Sequence, residues 1–83
     1  MPALTISKRF GAAVRRKRTS ANITQEKLAE LAGIHPTYVG MVERGVRNPT
    51  LDVAARFAKA LNVALPKLIE DSLSLKGRKG RKG

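Results

Sequence analysis

The sequence predicts an all-α domain of five short helices. Apolar residues recur at helical spacing: Phe10 and Val14 are four apart, Val39 and Val42 three apart, and a stripe runs from Leu51 to Leu61. Threonine and proline sit where helices start (Thr24, Pro36, Thr50, Pro66), and Asn22, Gly33, Gly45 and Asn62 sit where they stop. The chain has 83 residues, which makes one small domain the expectation and an all-helical core marginal but feasible. Residues 1–5 read as a lead-in, 6–73 as the folded domain and 74–83 as a basic, flexible tail.

The first helix is expected from near Ser7 to about Arg18, with Phe10, Ala13 and Val14 facing the core. Arg15, Arg16, Lys17 and Arg18 form a dense positive run, and at 100° per residue they cannot share one direction. Most should be solvated, and Arg15 is assigned to a phosphate backbone. Asn22 tolerates a left-handed backbone and ends this segment. Ile23 then precedes Thr24, which caps the second helix, and Leu28 is its partner for a hydrophobic staple. Lys27 occupies the position where Glu or Gln would complete a capping box.

The second helix, about Gln25 to Ala32, offers Leu28, Ala29, Leu31 and Ala32 for packing. Gln25 at its start can donate to a phosphate, where free backbone amides add further donors. Gly33 suits a positive-φ turn, and Ile34 returns to the core. The third helix, about Pro36 to Arg44, begins with a proline whose missing N–H costs little there. Val39 and Val42 face inward, so Thr37, Tyr38 and Met41 point more outward. A surface helix held after a fixed turn can enter a DNA major groove. Thr37 can meet a base edge, Met41 a thymine methyl, and Tyr38 a phosphate. His35 stands at the N-cap, a position it serves poorly, so contact with DNA is its better use. Glu43 is expected to reach back to Arg18 or another basic group of the first helix. Arg44, Arg47 and Asn48 are assigned to phosphate, the last two from the turn-like GVRNP stretch.

Thr50 caps the fourth helix, with Asp52 in its first turn and Leu51, Ala54, Ala55, Ala58, Leu61 and Phe57 as its apolar stripe. Pro66 opens a fifth helix that continues through Leu68, Ile69 and Leu73. It is too short to stand alone, so its apolar residues need a core or another protomer. Pro66, Leu68, Ile69 and Leu73 are therefore the expected dimer interface.

Charge points the same way. There are 17 basic and 6 acidic residues, for a formal net charge of +11. Five of the basic residues lie between Lys76 and Lys82, yet the remainder is still net positive. A polyanion is the expected partner, with nucleic acid ahead of an anionic membrane. The tail, KGRKGRKG, should be disordered and can add non-specific attraction. No apolar run is long enough to span a bilayer, and the opening MPALTISKRF lacks a signal-peptide core. Cysteine is absent, and one histidine cannot make a metal site. There is no phosphate-binding glycine loop, paired His/carboxylate site or Cys nucleophile, so an enzyme, a cofactor and a small-molecule ligand are not expected.

TQEKLAELAGIHPTYVGMVERGVRNPTLDVAARFAKALNV resembles the lambda-repressor/Cro-like helix-turn-helix family, also called the XRE family. The likeness covers about residues 6–72. It is carried jointly by TQ-x-x-LA-x-x-AGI, ERG at Glu43–Gly45, NPT at Asn48–Thr50 and AKALNV at Ala58–Val63. YVGMVERG and the single domain are similar to its restriction-modification controller proteins. Three positions depart from the pattern. Lys17 replaces a usually apolar residue, Asn22 replaces a common glycine, and Pro36 lacks the side-chain donor often found there.

The resemblance implies a five-helix, sequence-specific binder of double-stranded DNA. Such a protein is a transcriptional regulator acting in the cytoplasm on the nucleoid, as a homodimer on a palindromic operator. It places His35, Pro36, Thr37 and Met41 at base edges or their rim. Gln25, Arg47 and Asn48 fall against phosphate, and Arg18 with Glu43 forms an internal pair. Two other readings compete: a DNA-binding antitoxin or protein-interaction module, and an RNA-binding or coactivator-like protein. The first is marked by a stable partner, the second by tighter binding to RNA than to duplex DNA.

Overall fold

The computed structural model describes residues 5–74; the tail from residue 75 and the first four residues of the lead-in, with the expectations placed on them, lie outside. Five helices follow in order: α1 Ile6–Ser20, α2 Gln25–Ala32, α3 Pro36–Glu43, α4 Leu51–Ala60 and α5 Leu65–Leu73. No strand occurs among the described residues.

Three helices start with the same device. The hydroxyl oxygens of Thr5, Thr24 and Thr50 accept from the backbone N–H groups of Lys8, Lys27 and Val53 at 3.1, 3.0 and 3.1 Å. Each satisfies an amide that the helix itself leaves without a partner. Thr5 therefore belongs to the folded domain, not the lead-in, and α1 starts at Ile6. Left-handed residues separate the elements: Asn22 (φ 64°), Gly33 (φ 72°) and Asn62 (φ 61°). At Gly33 the turn is too sharp for most side chains, and its N–H closes α2 by donating to the carbonyl of Glu30.

The core contains Phe10, Ala13, Val14, Leu28, Ala29, Val39, Val42, Ala54, Phe57, Ala58 and Leu68. Phe10 and Phe57 meet edge to face with centroids 6.2 Å apart, which joins α1 to α4. α1 packs on α3 and α5, α2 on α3 and α4, and α4 on α5. The contact of α1 with α3 is unusually close. A Cβ placed on Gly11 would run into the backbone carbonyl of Val42 and lie 2.9 Å from that of Glu43. Gly11 thus sets how deeply the last turn of α3 seats.

Several expected packing positions are corrected. Leu31 is 51% and Leu51 80% exposed, and Ala55 is exposed as well. A 100° step puts Leu31 about a sixth of a turn beyond the arc of Leu28, Ala29 and Ala32. The same step carries Ala55 off the arc of Ala54, Phe57 and Ala58, whereas Leu51 shares that face and is exposed at the first position of α4. Leu68 is 0% exposed, so it belongs to the protomer's own core and offers a second copy no surface. Lys17, the departure in α1, finds a use: its Nζ lies 3.3 Å from Asp71 of α5, which Lys67 also approaches at 3.5 Å. No helix is long and apolar enough to cross a membrane among the described residues.

Candidate nucleic-acid interface

α2, the Gly33 turn and α3 form a helix-turn-helix whose second helix is anchored on one side only. Val39 and Val42 are fully buried, and Tyr38 packs half-buried at their edge. On the opposite side Thr37 and Arg44 are exposed and Met41 is half-buried. Helical spacing puts Thr37, Met41 and Arg44 within one outward arc. Pro36, half-buried, opens the helix beside them.

His35 does more than the sequence suggested. Its Nδ1 accepts from the N–H of Thr37 at 3.3 Å, so it does cap α3. A ring that accepts at Nδ1 carries its proton on Nε2, which leaves an N–H donor on this exposed residue. The expected DNA contact of His35 therefore has one ring nitrogen at its disposal.

Beneath the outer arc lies a polar network. Arg18 Nε donates to Glu43 Oε2 at 2.7 Å and Nη2 to Oε1 at 3.1 Å, while Nη1 donates to the Ile23 carbonyl at 2.9 Å. Gln25 Nε2 also donates to Glu43 Oε1, at 2.9 Å. One carboxylate, with its side chain only 3% exposed, thus ties the end of α1 and the start of α2 to the end of α3. The hydrogen bond to Glu43 raises the pKa of the Arg18 guanidinium further, with burial acting the other way. The Arg18–Glu43 pair is where the sequence put it, whereas the bond from Gln25 was not foreseen. That bond uses one of two amide hydrogens and leaves the other as a donor.

The remaining phosphate candidates are spread more widely. Arg15 is exposed on α1 and stands outside the network. Arg47 and Asn48 are exposed in the α3–α4 loop, where Asn48 Oδ1 accepts from the Ser7 hydroxyl and is pinned to the first turn of α1. Arg44 folds back over α3, so that its Nη1 and the Gln25 amide both overlie Gly40. The roles of Gly11 and Gly40 were missed. Their signal was present as isolated glycines inside helical patterns, which lower helix propensity and need a reason. The candidate dimer residues lie on α5, where Leu73 is 56% exposed, Pro66 exposed and Ile69 half-buried. Among the described residues no group of three or more His, Cys, Asp or Glu could hold a metal ion.

Comparison with known proteins agrees with this arrangement. A helix-turn-helix family model matches residues 14–68. The control protein C.SmaI of Serratia marcescens is 52% identical over 56 residues, covering 68% of this chain and 67% of that protein. The control protein C.BamHI of Bacillus amyloliquefaciens is 44% identical over 62 residues, covering 74% and 76%. Among solved structures, the restriction-modification controller protein C.AhdI of Aeromonas hydrophila superposes with a TM-score of 0.72 at 41% identity, covering 74% of this chain and 92% of that one. With an exposed recognition helix, a basic surface and these relatives, the chain belongs to the helix-turn-helix family of DNA-binding transcriptional regulators, in its lambda-repressor/Cro-like (XRE) branch.

Proposed function

We propose that this protein is a controller-type regulator that binds a palindromic operator in double-stranded DNA as a homodimer, on the nucleoid in the cytoplasm. α3 enters the major groove. His35, Thr37 and Met41 read base edges, with Pro36 at the rim. Arg15, Gln25, Tyr38, Arg44, Arg47 and Asn48 hold phosphates. The observation that carries the reading is the one-sided anchoring of α3, with Val39 and Val42 buried and Thr37 and Arg44 exposed. A helix fixed from behind keeps its free face rigid, which base recognition requires. The likeness to control proteins supports the regulatory class.

For the second copy, the surface to use is the exposed part of α5. Ile69, Ile6, Pro49 and Leu51 line a largely apolar hollow of about 270 Å³, and Leu73 is exposed farther along α5. Two copies joined there would double the sequence read and fix the half-site spacing. Selection of bound duplexes from random DNA tests the whole reading. The expected result is a palindromic consensus bound at least 10³-fold more tightly, in order of magnitude, than scrambled duplex at physiological salt. No preference between selected and scrambled duplex would overturn it.

A further inference from the structure

Four glycines occur among the described residues, and folding explains three of them. Gly33 and Gly45 have positive φ, and a Cβ at Gly11 would strike the Val42 carbonyl. Gly40 has none of these reasons. It sits in the interior of α3, where glycine is a poor helix former. A Cβ there would meet no backbone: its neighbours are Arg44 Nη1 at 3.3 Å and the Gln25 amide, with Oε1 at 3.7 Å and Nε2 at 3.8 Å. Arg44 is exposed and its guanidinium is the far end of a flexible chain, so it can give way. The fold itself therefore has room for alanine at the one position where the recognition helix is weakened.

We propose that Gly40 is a positioning residue for DNA binding. By having no side chain it lets the Arg44 guanidinium lie back against α3 beside the Gln25 amide, so that two donors from different helices converge on one phosphate. Arg44 follows Gly40 by one turn, and long helical side chains lean toward the N-terminus, which brings its head over residue 40. Gln25 arrives from α2, held by its bond to Glu43. A methyl group between them displaces Arg44 and leaves Gln25 in ordinary contact. A larger side chain displaces both. The inference rests on the reading of α3 as the DNA-contacting helix.

The test compares Gly40→Ala, Arg44→Ala and the double variant of the full chain, using the duplex that the unaltered protein selects from random DNA. Gly40→Ala should melt about 4 °C higher, as a glycine-to-alanine change inside a helix does in a domain of this size. It should nevertheless bind the duplex roughly threefold to tenfold more weakly, with the slope of log affinity against log salt reduced by about one. That loss should vanish in the Arg44→Ala background, because the two substitutions remove the same contact. Gly40→Leu should lose more than Gly40→Ala. Equal affinity for Gly40→Ala and the unaltered protein would overturn the proposal, as would a full loss that persists without Arg44, or a lower melting temperature. If the unaltered protein shows no preference for its selected duplex, the assignment of α3 fails first, and the two failures are told apart.

Discussion

Glu43 ties three helices together through one carboxylate. It takes bonds from Arg18 and Gln25 while nearly buried, and no other carboxylate among the described residues binds two different side chains of other elements through hydrogen bonds this short. Glu43→Ala leaves the largely buried Arg18 charge without its carboxylate, and we expect a loss of about 3 kcal/mol in urea unfolding. An unchanged unfolding midpoint would refute a structural role. The sign of the pKa change fixes the pH range in which the pair acts. Folding raises the Arg18 pKa, so its contribution is fully present below the titration of a free guanidinium and is lost only in stronger alkali. Thr37 belongs to the outer arc, where nothing in the fold depends on its hydroxyl. Thr37→Ala should weaken binding to the selected duplex by about 1 kcal/mol and leave scrambled DNA almost unaffected, measured side by side at one salt concentration. Equal losses on both would place Thr37 against the backbone instead.

Among the elements, α3 carries the proposed base contacts and α1 decides where α3 sits. The two approach backbone to backbone at Gly11. Gly11→Ala must push them apart, at a cost of about 1–3 kcal/mol, and should also tilt the recognition helix away from its network. Thermal melting measures the first effect, and duplex affinity per folded molecule measures the second. A variant with unaltered melting would show that the close approach is not needed. Gly11 and Gly40 differ in this respect. Each is a helical glycine by sequence, yet one meets a carbonyl and the other only the tip of a mobile arginine.

For the whole molecule, the proposed dimer rests on the exposed part of α5. Leu68 and Leu73 lie on the same helix and were both assigned to the interface, but they have opposite burial. Leu73→Glu should separate a dimer while leaving the fold within about 0.5 kcal/mol of its original stability. Leu68→Ala should instead cost about 3 kcal/mol of stability, because it opens a cavity in the protomer. Sedimentation paired with denaturant unfolding distinguishes them. A dimer unaffected by Leu73→Glu would move the interface off the end of α5.

The number of helices, their caps and their breaks were legible in the sequence because they depend on neighbours a few residues away. Thr24, Asn22, Gly33 and Thr50 act on amides and dihedral angles within one turn. For Glu43 the residues themselves left Arg18 and the other basic groups of α1 open as partners, and it was the resemblance to the family that implied Arg18. What the linear chain could not decide was the exact edge of each buried face. Leu31, Leu51 and Leu68 are the same residue type at helical spacing, and only the neighbouring helices determine that one is enclosed and two are not. The same holds for Gln25, Gly11 and Gly40. Their uses depend on atoms brought within a few ångströms from distant parts of the chain, or on a backbone approach that periodicity does not encode. Local chemistry wrote the helices and the turn, and packing in three dimensions chose which atoms would face each other and which would stay exposed.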